Sequence, residues 1–106
     1  MTYSLRFRPE VVGDLEDAAK WYDDRRLGLG GEFLQECEAA LDRIQERPEQ
    51  GTVGPDGVRS VRLHRFPYVI HYRIERTTIV IFAVMFGGRD PSAWEDRMLQ
   101  TDASEP

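Results

Sequence analysis

The sequence predicts an α+β fold in which a helical hairpin packs on one face of a small antiparallel sheet, in the order βααβββα. Three observations predict it. Two amphipathic series between Glu10 and Arg47 are joined by a glycine-rich link. Three strand-like runs between Val58 and Phe86 are joined by two- or three-residue links, and an alternating run opens the chain.

In that opening run Tyr3, Leu5 and Phe7 alternate with Ser4, Arg6 and Arg8, the period of a strand with one wet face, and Pro9 ends it. From Glu10 onward Val11, Leu15, Ala18, Ala19 and Tyr22 recur at helical steps, with acids in the first turns where the macrodipole favours them. Gly28 and Gly30 break the pattern, and Leu27-Gly28-Leu29-Gly30-Gly31 reads as the link of the hairpin. Phe33, Leu34, Cys37, Ala40, Leu41 and Ile44 make the second series, closed by Arg47 and Pro48. The helices are expected at about residues 10 to 26 and 29 to 47.

Arg47 to Gly57 is a loop by composition. Val58 to His64, Tyr68 to Glu75 and Thr78 to Phe86 follow as strands of an antiparallel meander. In the middle run Tyr68, Ile70, Tyr72 and Ile74 share one face, and Val69, His71, Arg73 and Glu75 the other. Ile79 to Val84 is apolar on both faces and reads as the central strand. Asp90-Pro91 offers an N-cap and first-turn proline for a short closing helix over Ser92 to Leu99. Arg6, His71 and Arg73 would lie on the sheet face away from the hairpin, joined by either Arg62 and His64 or Arg59, depending on register.

The 106 residues fit one domain, taken as residues 1–100, with 101–106 as a flexible tail and no room for a second enzymatic domain. Apolar residues make up 41% and charged residues 31%, a globular balance. Neither an apolar leader nor a run of about 20 apolar residues is present, so a soluble, cytoplasmic protein without a membrane partner is expected. Cys37 is the lone cysteine and reads as a small buried hydrophobe.

Net charge is −5, against indiscriminate nucleic-acid binding. The charge is divided. Glu10 to Gln50 holds twelve acids against five bases, a net −7, whereas Gly51 to Gln100 holds seven arginines against five acids. No DxD, HExxH, GxxxxGK[ST] or CxxC pattern points to a metal or nucleotide, and no cofactor is expected.

Arg65-Phe66-Pro67-Tyr68-Val69-Ile70-His71-Tyr72, then Phe82-Ala83-Val84, then Arg89-Asp90-Pro91 with Trp94 and Arg97, resembles the RelE/ParE toxin superfamily. Trp21-Tyr22 ahead of Gly28-Leu29-Gly30 resembles its hairpin signature, and the likeness runs over roughly residues 3 to 98. The resemblance implies a toxin of a type II toxin–antitoxin system, with a cognate antitoxin as partner and apolar surface left for an antitoxin segment. ParE-like members inhibit DNA gyrase by binding it; RelE-like members cut messenger RNA on the ribosome without a metal. A third implication is a relative that keeps the antitoxin but has lost toxicity.

RNA cleavage needs a base, an acid and fixed cations converging on one face. His71 and Arg73, with Arg62, His64 and Arg89, could supply them. Where relatives carry a histidine and a further basic residue before Arg-Asp-Pro, this chain has Phe86 and Gly88, which favours the ParE-like reading. Arg89, Trp94, Arg97 and the hairpin-turn residues Leu27 and Leu29 are then the candidate gyrase anchors. Beside these stand plainer roles. The two histidines read as hydrogen-bonded surface residues, Phe66, Pro67 and Tyr68 as a turn packed on the core, and Trp94 as a seal on the closing helix.

Overall fold

The structure, a computed structural model, describes residues 2–54 and 56–87. The closing helix expected over Ser92 to Leu99 lies outside the described residues.

Strand β1, Ser4–Phe7, passes through Arg8 into helix α1, Pro9–Arg25. Proline suits that junction because it needs no N–H partner at the first helical position. Helix α2, Leu29–Glu46, is followed by a 3-10 turn at Pro48–Gln50 and by β2, Thr52–Val53. Then come β3, Arg59–Arg62, β4, Tyr68–Glu75, and β5, Thr78–Phe86. The sheet order is β1-β5-β4-β3-β2, so β5 is an interior strand as its two-sided apolar pattern predicts.

Two features depart from the sequence reading. The sheet is antiparallel from β2 to β5, but β1 pairs parallel to β5, with Leu5 opposite Ile79 and Phe7 opposite Ile81. The hairpin intervenes between those two strands in sequence, and its two helices return the chain to the end of the sheet from which β1 started. The segment read as a loop also holds the 3-10 turn and β2. Side chains from the sheet order it: the buried Tyr72 hydroxyl donates to the Pro48 carbonyl at 2.7 Å, and the Arg59 guanidinium donates to the carbonyls of Glu49 and Gly51 at 2.8 and 3.2 Å.

The hairpin covers one face of the sheet. Val11, Ala18, Tyr22, Phe33, Cys37, Ala40 and Ile44 from the helices close on Ile70, Tyr72, Ile79, Ile81 and Val84. Four aromatic rings hold the turn end together. Tyr22 meets Phe66 edge-on at 4.8 Å, and Phe33 meets Phe66 at 5.4 Å and Tyr68 at 5.0 Å. Such pairs contribute about 0.5–1.5 kcal/mol each beyond the area they bury. Phe66 thus packs into the core from the Arg65-Phe66-Pro67 link, as expected. Cys37 is buried too, and burial pushes its thiol up to about 12, so it serves as a hydrophobe.

Gly30 and Gly31 belong to the first turn of α2 and not to the link. Gly30 is there because the helices touch: a Cβ would overlap the Ala19 carbonyl oxygen and the Asp23 carboxylate. Asp23 Oδ1 accepts from the N–H groups of Gly28 and Gly30, at 3.2 and 2.7 Å, placing an anion on the N-terminal turn of α2.

The packing separates the helical glycines. Gly30→Ala should cost about 1–3 kcal/mol through overpacking. Gly13→Ala, where nothing lies within 4 Å of an added Cβ, should gain about 0.5–1 kcal/mol from helix propensity. Thermal melts of the two variants should therefore move in opposite directions, and a Gly30→Ala variant as stable as the parent would mean the helices do not meet there.

Candidate functional site

Register assigns the residues of the sheet face away from the hairpin. Ser60 lies opposite His71 and Arg62 opposite Val69, while Val61 and Leu63 join the core under the hairpin. Ser60 and Arg62 therefore share the face of His71 and Arg73, and Arg59 points the other way, into the Pro48–Gly51 backbone. His64 lies beyond the end of β3 and is exposed.

The residues of the alternative, catalytic reading have structural partners of their own. A 2.9 Å hydrogen bond joins Ser60 Oγ to His71 Nδ1. Burial pushes the His71 pKa down to about 4, so the ring is neutral at pH 7. Arg73 is held by Glu75 through Nε and a terminal nitrogen, at 3.1 and 2.6 Å, with its guanidinium 5.5 Å from the Phe82 ring centroid. The Arg62 guanidinium reaches over Val69 to Gly87. This row is tied up as structure: a neutral imidazole on a serine, and an arginine neutralised by its own strand.

The hairpin turn separates the other two described candidates. Leu27 is 90% exposed at the tip, whereas Leu29 packs against the core. The turn is pinned on both sides by Asp23 and by Glu32, which pairs with Arg26 at 3.2 Å and with Arg65 at 2.8 Å. The Arg65 hydrogen bond is the main reason the Glu32 carboxyl titrates below its ordinary range. Arg89, Trp94 and Arg97 lie outside the described residues. Among the described residues no group of three or more His, Cys, Asp or Glu could hold a metal ion, and no helix is long and apolar enough to cross a membrane.

Sequence reasoning missed a groove between α1 and the last third of β5. It has a volume of about 360 Å³ and is lined by Asp14, Asp17, Ala18, Trp21, Tyr68, Val84, Met85 and Phe86. Asp14, Asp17 and Trp21 stand at i, i+3 and i+7 and so share a helix stripe beside the core-facing one. Trp21 is 48% and Phe86 52% exposed, the Trp21 ring carrying the Arg25 guanidinium at 3.2 Å from its centroid. That helical spacing was the available signal. The neighbouring acids made it read as solvated surface.

The fold, a hairpin on one face of a small sheet, is similar to that of a solved structure described as the chromosomal ParDE TA system from P. aeruginosa. The TM-score is 0.71 at 21% identity, over 80% of this chain and 96% of that chain, which establishes a common fold. The family model for the ParE toxin of type II toxin-antitoxin system, parDE, matches residues 5–91. The chain belongs to the ParE toxin family and is a toxin component of the type II class. No curated protein sequence matches it.

The half-buried His71 has an effect on stability whose sign can be measured. Its folded pKa of about 4 lies below the unfolded value of about 6.5, so the unfolded chain binds the proton more tightly. The contribution of His71 to stability is therefore intact above pH ~6.5 and is lost as the pH falls toward 4. The melting temperature should drop between pH 7 and pH 5, and His71→Gln should flatten that drop. An equally steep fall in the variant would assign the acid sensitivity to other groups.

Proposed function

We propose that this toxin component inhibits DNA gyrase by binding it, acts in the cytoplasm, and is neutralised by a cognate antitoxin in a toxin–antitoxin hetero-oligomer. Family membership supports the class. The observation that carries the target reading is the hairpin tip. Leu27, 90% exposed, projects from a turn held by Asp23 on one side and by the Arg26–Glu32–Arg65 pairs on the other. An apolar anchor on a preorganised turn costs little ordering on binding, which suits inhibition by contact. Arg89, Trp94 and Arg97 remain candidate anchors on sequence grounds.

The competing reading, metal-free cleavage of messenger RNA on the ribosome, would route proton transfer through His71 and charge stabilisation through Arg73. A neutral His71 bonded to Ser60 and an Arg73 engaged by Glu75 do not favour it.

A purified gyrase supercoiling assay tests the proposal. The wild-type chain should inhibit at micromolar concentration. Leu27→Asp and Arg97→Ala should each weaken inhibition roughly 30-fold or more, the usual effect of truncating an anchor. His71→Ala should inhibit as well as wild type. Untouched supercoiling with the folded wild-type chain would end the gyrase reading, and inhibition abolished by His71→Ala alone would move the site to the sheet face.

A further inference from the structure

β3 lies next to the edge of the sheet and is covered there only in part. β2 pairs with it at Arg59 and Ser60 and goes no further. Toward β4 the bonded pairs fall on odd residues, with Leu63 donating to the Tyr68 carbonyl at 3.0 Å. By antiparallel alternation the backbone groups of Arg62 and His64 therefore turn outward, past the end of β2. They face a pocket of about 270 Å³ between Arg43 of α2, Thr52 of β2 and residues 62–64. Other grooves of the described surface are lined by Asp14 and Asp17, by Asp42 and Glu46, or by Glu46 and Glu49. This one is lined by arginine and histidine with no carboxylate.

The pocket wall is fixed from the sheet. Tyr72 holds the Pro48 carbonyl, Arg59 holds the carbonyls of Glu49 and Gly51, and Gln50 Nε2 donates to the Arg43 carbonyl at 3.2 Å. Gly51 passes so close to β4 that an added Cβ would overlap the Tyr72 hydroxyl. Arg43 is half-buried, and among the described residues no hydrogen bond or ion pair engages its guanidinium. Arg59 spends its charge on two carbonyls. Two guanidiniums thus stand at this edge without a carboxylate, in a chain whose net charge is −5.

We propose that this pocket is a phosphate site and that it holds one phosphate of the DNA on which the toxin's target acts, an assignment to DNA that rests on the gyrase reading. The donors come from three elements: the Arg43 guanidinium, the Thr52 hydroxyl and the outward N–H of Arg62. That spread matches the tetrahedral oxygens of a phosphate better than the two coplanar oxygens of a carboxylate. An added peptide strand has too little edge to pair with, because β2 closes it at Ser60 and the Arg65-Phe66-Pro67 link leads the chain away after His64. Thr52, Arg62 and His64 are exposed, so a phosphate carried on a polymer can enter while its sugar and base stay outside. The free chain, at net −5, is repelled by DNA, and the contact forms on DNA that gyrase already holds.

Two measurements test the site and its use. Inorganic phosphate, titrated into the free chain at constant ionic strength against a chloride control, should shift the Thr52 and Arg62 amide resonances saturably, and Arg43→Gln should abolish the shift. Gyrase carrying a DNA duplex should take the toxin about tenfold more tightly than gyrase alone, and that increment should fall with salt at a log–log slope of about 1, the signature of one phosphate contact. Arg43→Gln and Thr52→Asp, the second at an exposed strand position, should each remove the increment and leave the DNA-free affinity as it was. Arg76→Gln, in the exposed β4–β5 turn at the far end of the sheet, should change neither. Amides unmoved by phosphate, or moved equally by chloride, overturn the site. A DNA increment that is absent, or that survives in both variants, overturns its use on DNA and leaves the gyrase reading standing. Gyrase that binds no toxin with or without DNA overturns the gyrase reading and the DNA assignment together. An acidic peptide that moves the amides more than phosphate does gives the pocket to a protein and overturns the proposal.

Discussion

A strand buried on both faces has to satisfy its backbone on both edges from within the protein, because water cannot reach the unpaired groups. β5 is that strand. Ile79, Ile81 and Val84 enter the core under the hairpin, and Val80, Phe82, Ala83 and Met85 form a second buried cluster with Val58 on the opposite face. One edge is paired throughout by β4, but the other is paired by β1 for less than half its length. The response is a bulge at Phe82, where the register shifts so that His71 lies opposite Ala83 but Tyr72 opposite Ile81, together with the Asp14 carboxylate. The bulge turns the Val84 side chain into the hairpin core and its N–H toward α1, and Asp14 accepts it. Removing a carboxylate that accepts a buried N–H costs on the order of 1–3 kcal/mol, so α1 is tied to the sheet by chemistry as well as by apolar area.

The hairpin depends on this arrangement in turn. α1 can run beside the uncovered half of β5 only if α2 lies close against it, and Gly30 permits that approach at the turn end. At the other end Gln45 donates to the Tyr3 carbonyl at 2.6 Å, tying the last turns of α2 to the start of the chain. The aromatic cluster of Tyr22, Phe33, Phe66 and Tyr68 locks the corner where the hairpin turn meets the β3–β4 link. Leu27 is therefore exposed on a rigid support and not on a loose loop.

The elements were legible because each carries a periodicity of its own. The alternation of Tyr68 to Glu75, the two-sided run of Thr78 to Phe86 and the three-four spacing of both helices are local patterns, and the structure repeats their bounds to within a residue or two. What was not legible depends on partners distant in sequence. Parallel pairing of β1 needs the position of β5, some seventy residues on; β2 needs the edge of β3; and the reason for a glycine at position 30 needs Ala19 and Asp23 opposite. The far-face residues His71 and Arg73 were grouped by alternation, but choosing Arg62 over Arg59 needed the β3–β4 register, and what these side chains engage is a matter of partners. Ser60 and Glu75 take two of them out of play.

The acidic block shows why composition understated the site. Twelve acids between Glu10 and Gln50 read as a solvated face, yet several have fixed duties. Asp23 caps α2, Glu32 binds Arg26 and Arg65 across the turn, and Asp14 completes the edge of β5. Each serves a cationic or N–H group at a break in regular structure, where a short-range anion is worth most. Asp17 is different. It lies one helical turn from Asp14 on the same stripe, among Trp21, Tyr68 and Phe86, and is exposed. It stands beside aromatic rings that are themselves engaged, the Arg25 guanidinium lying 3.2 Å from the Trp21 ring centroid and Phe86 meeting Tyr68 edge-on. The same helix face thus closes the sheet with one aspartate and displays a charge to the surroundings with the next.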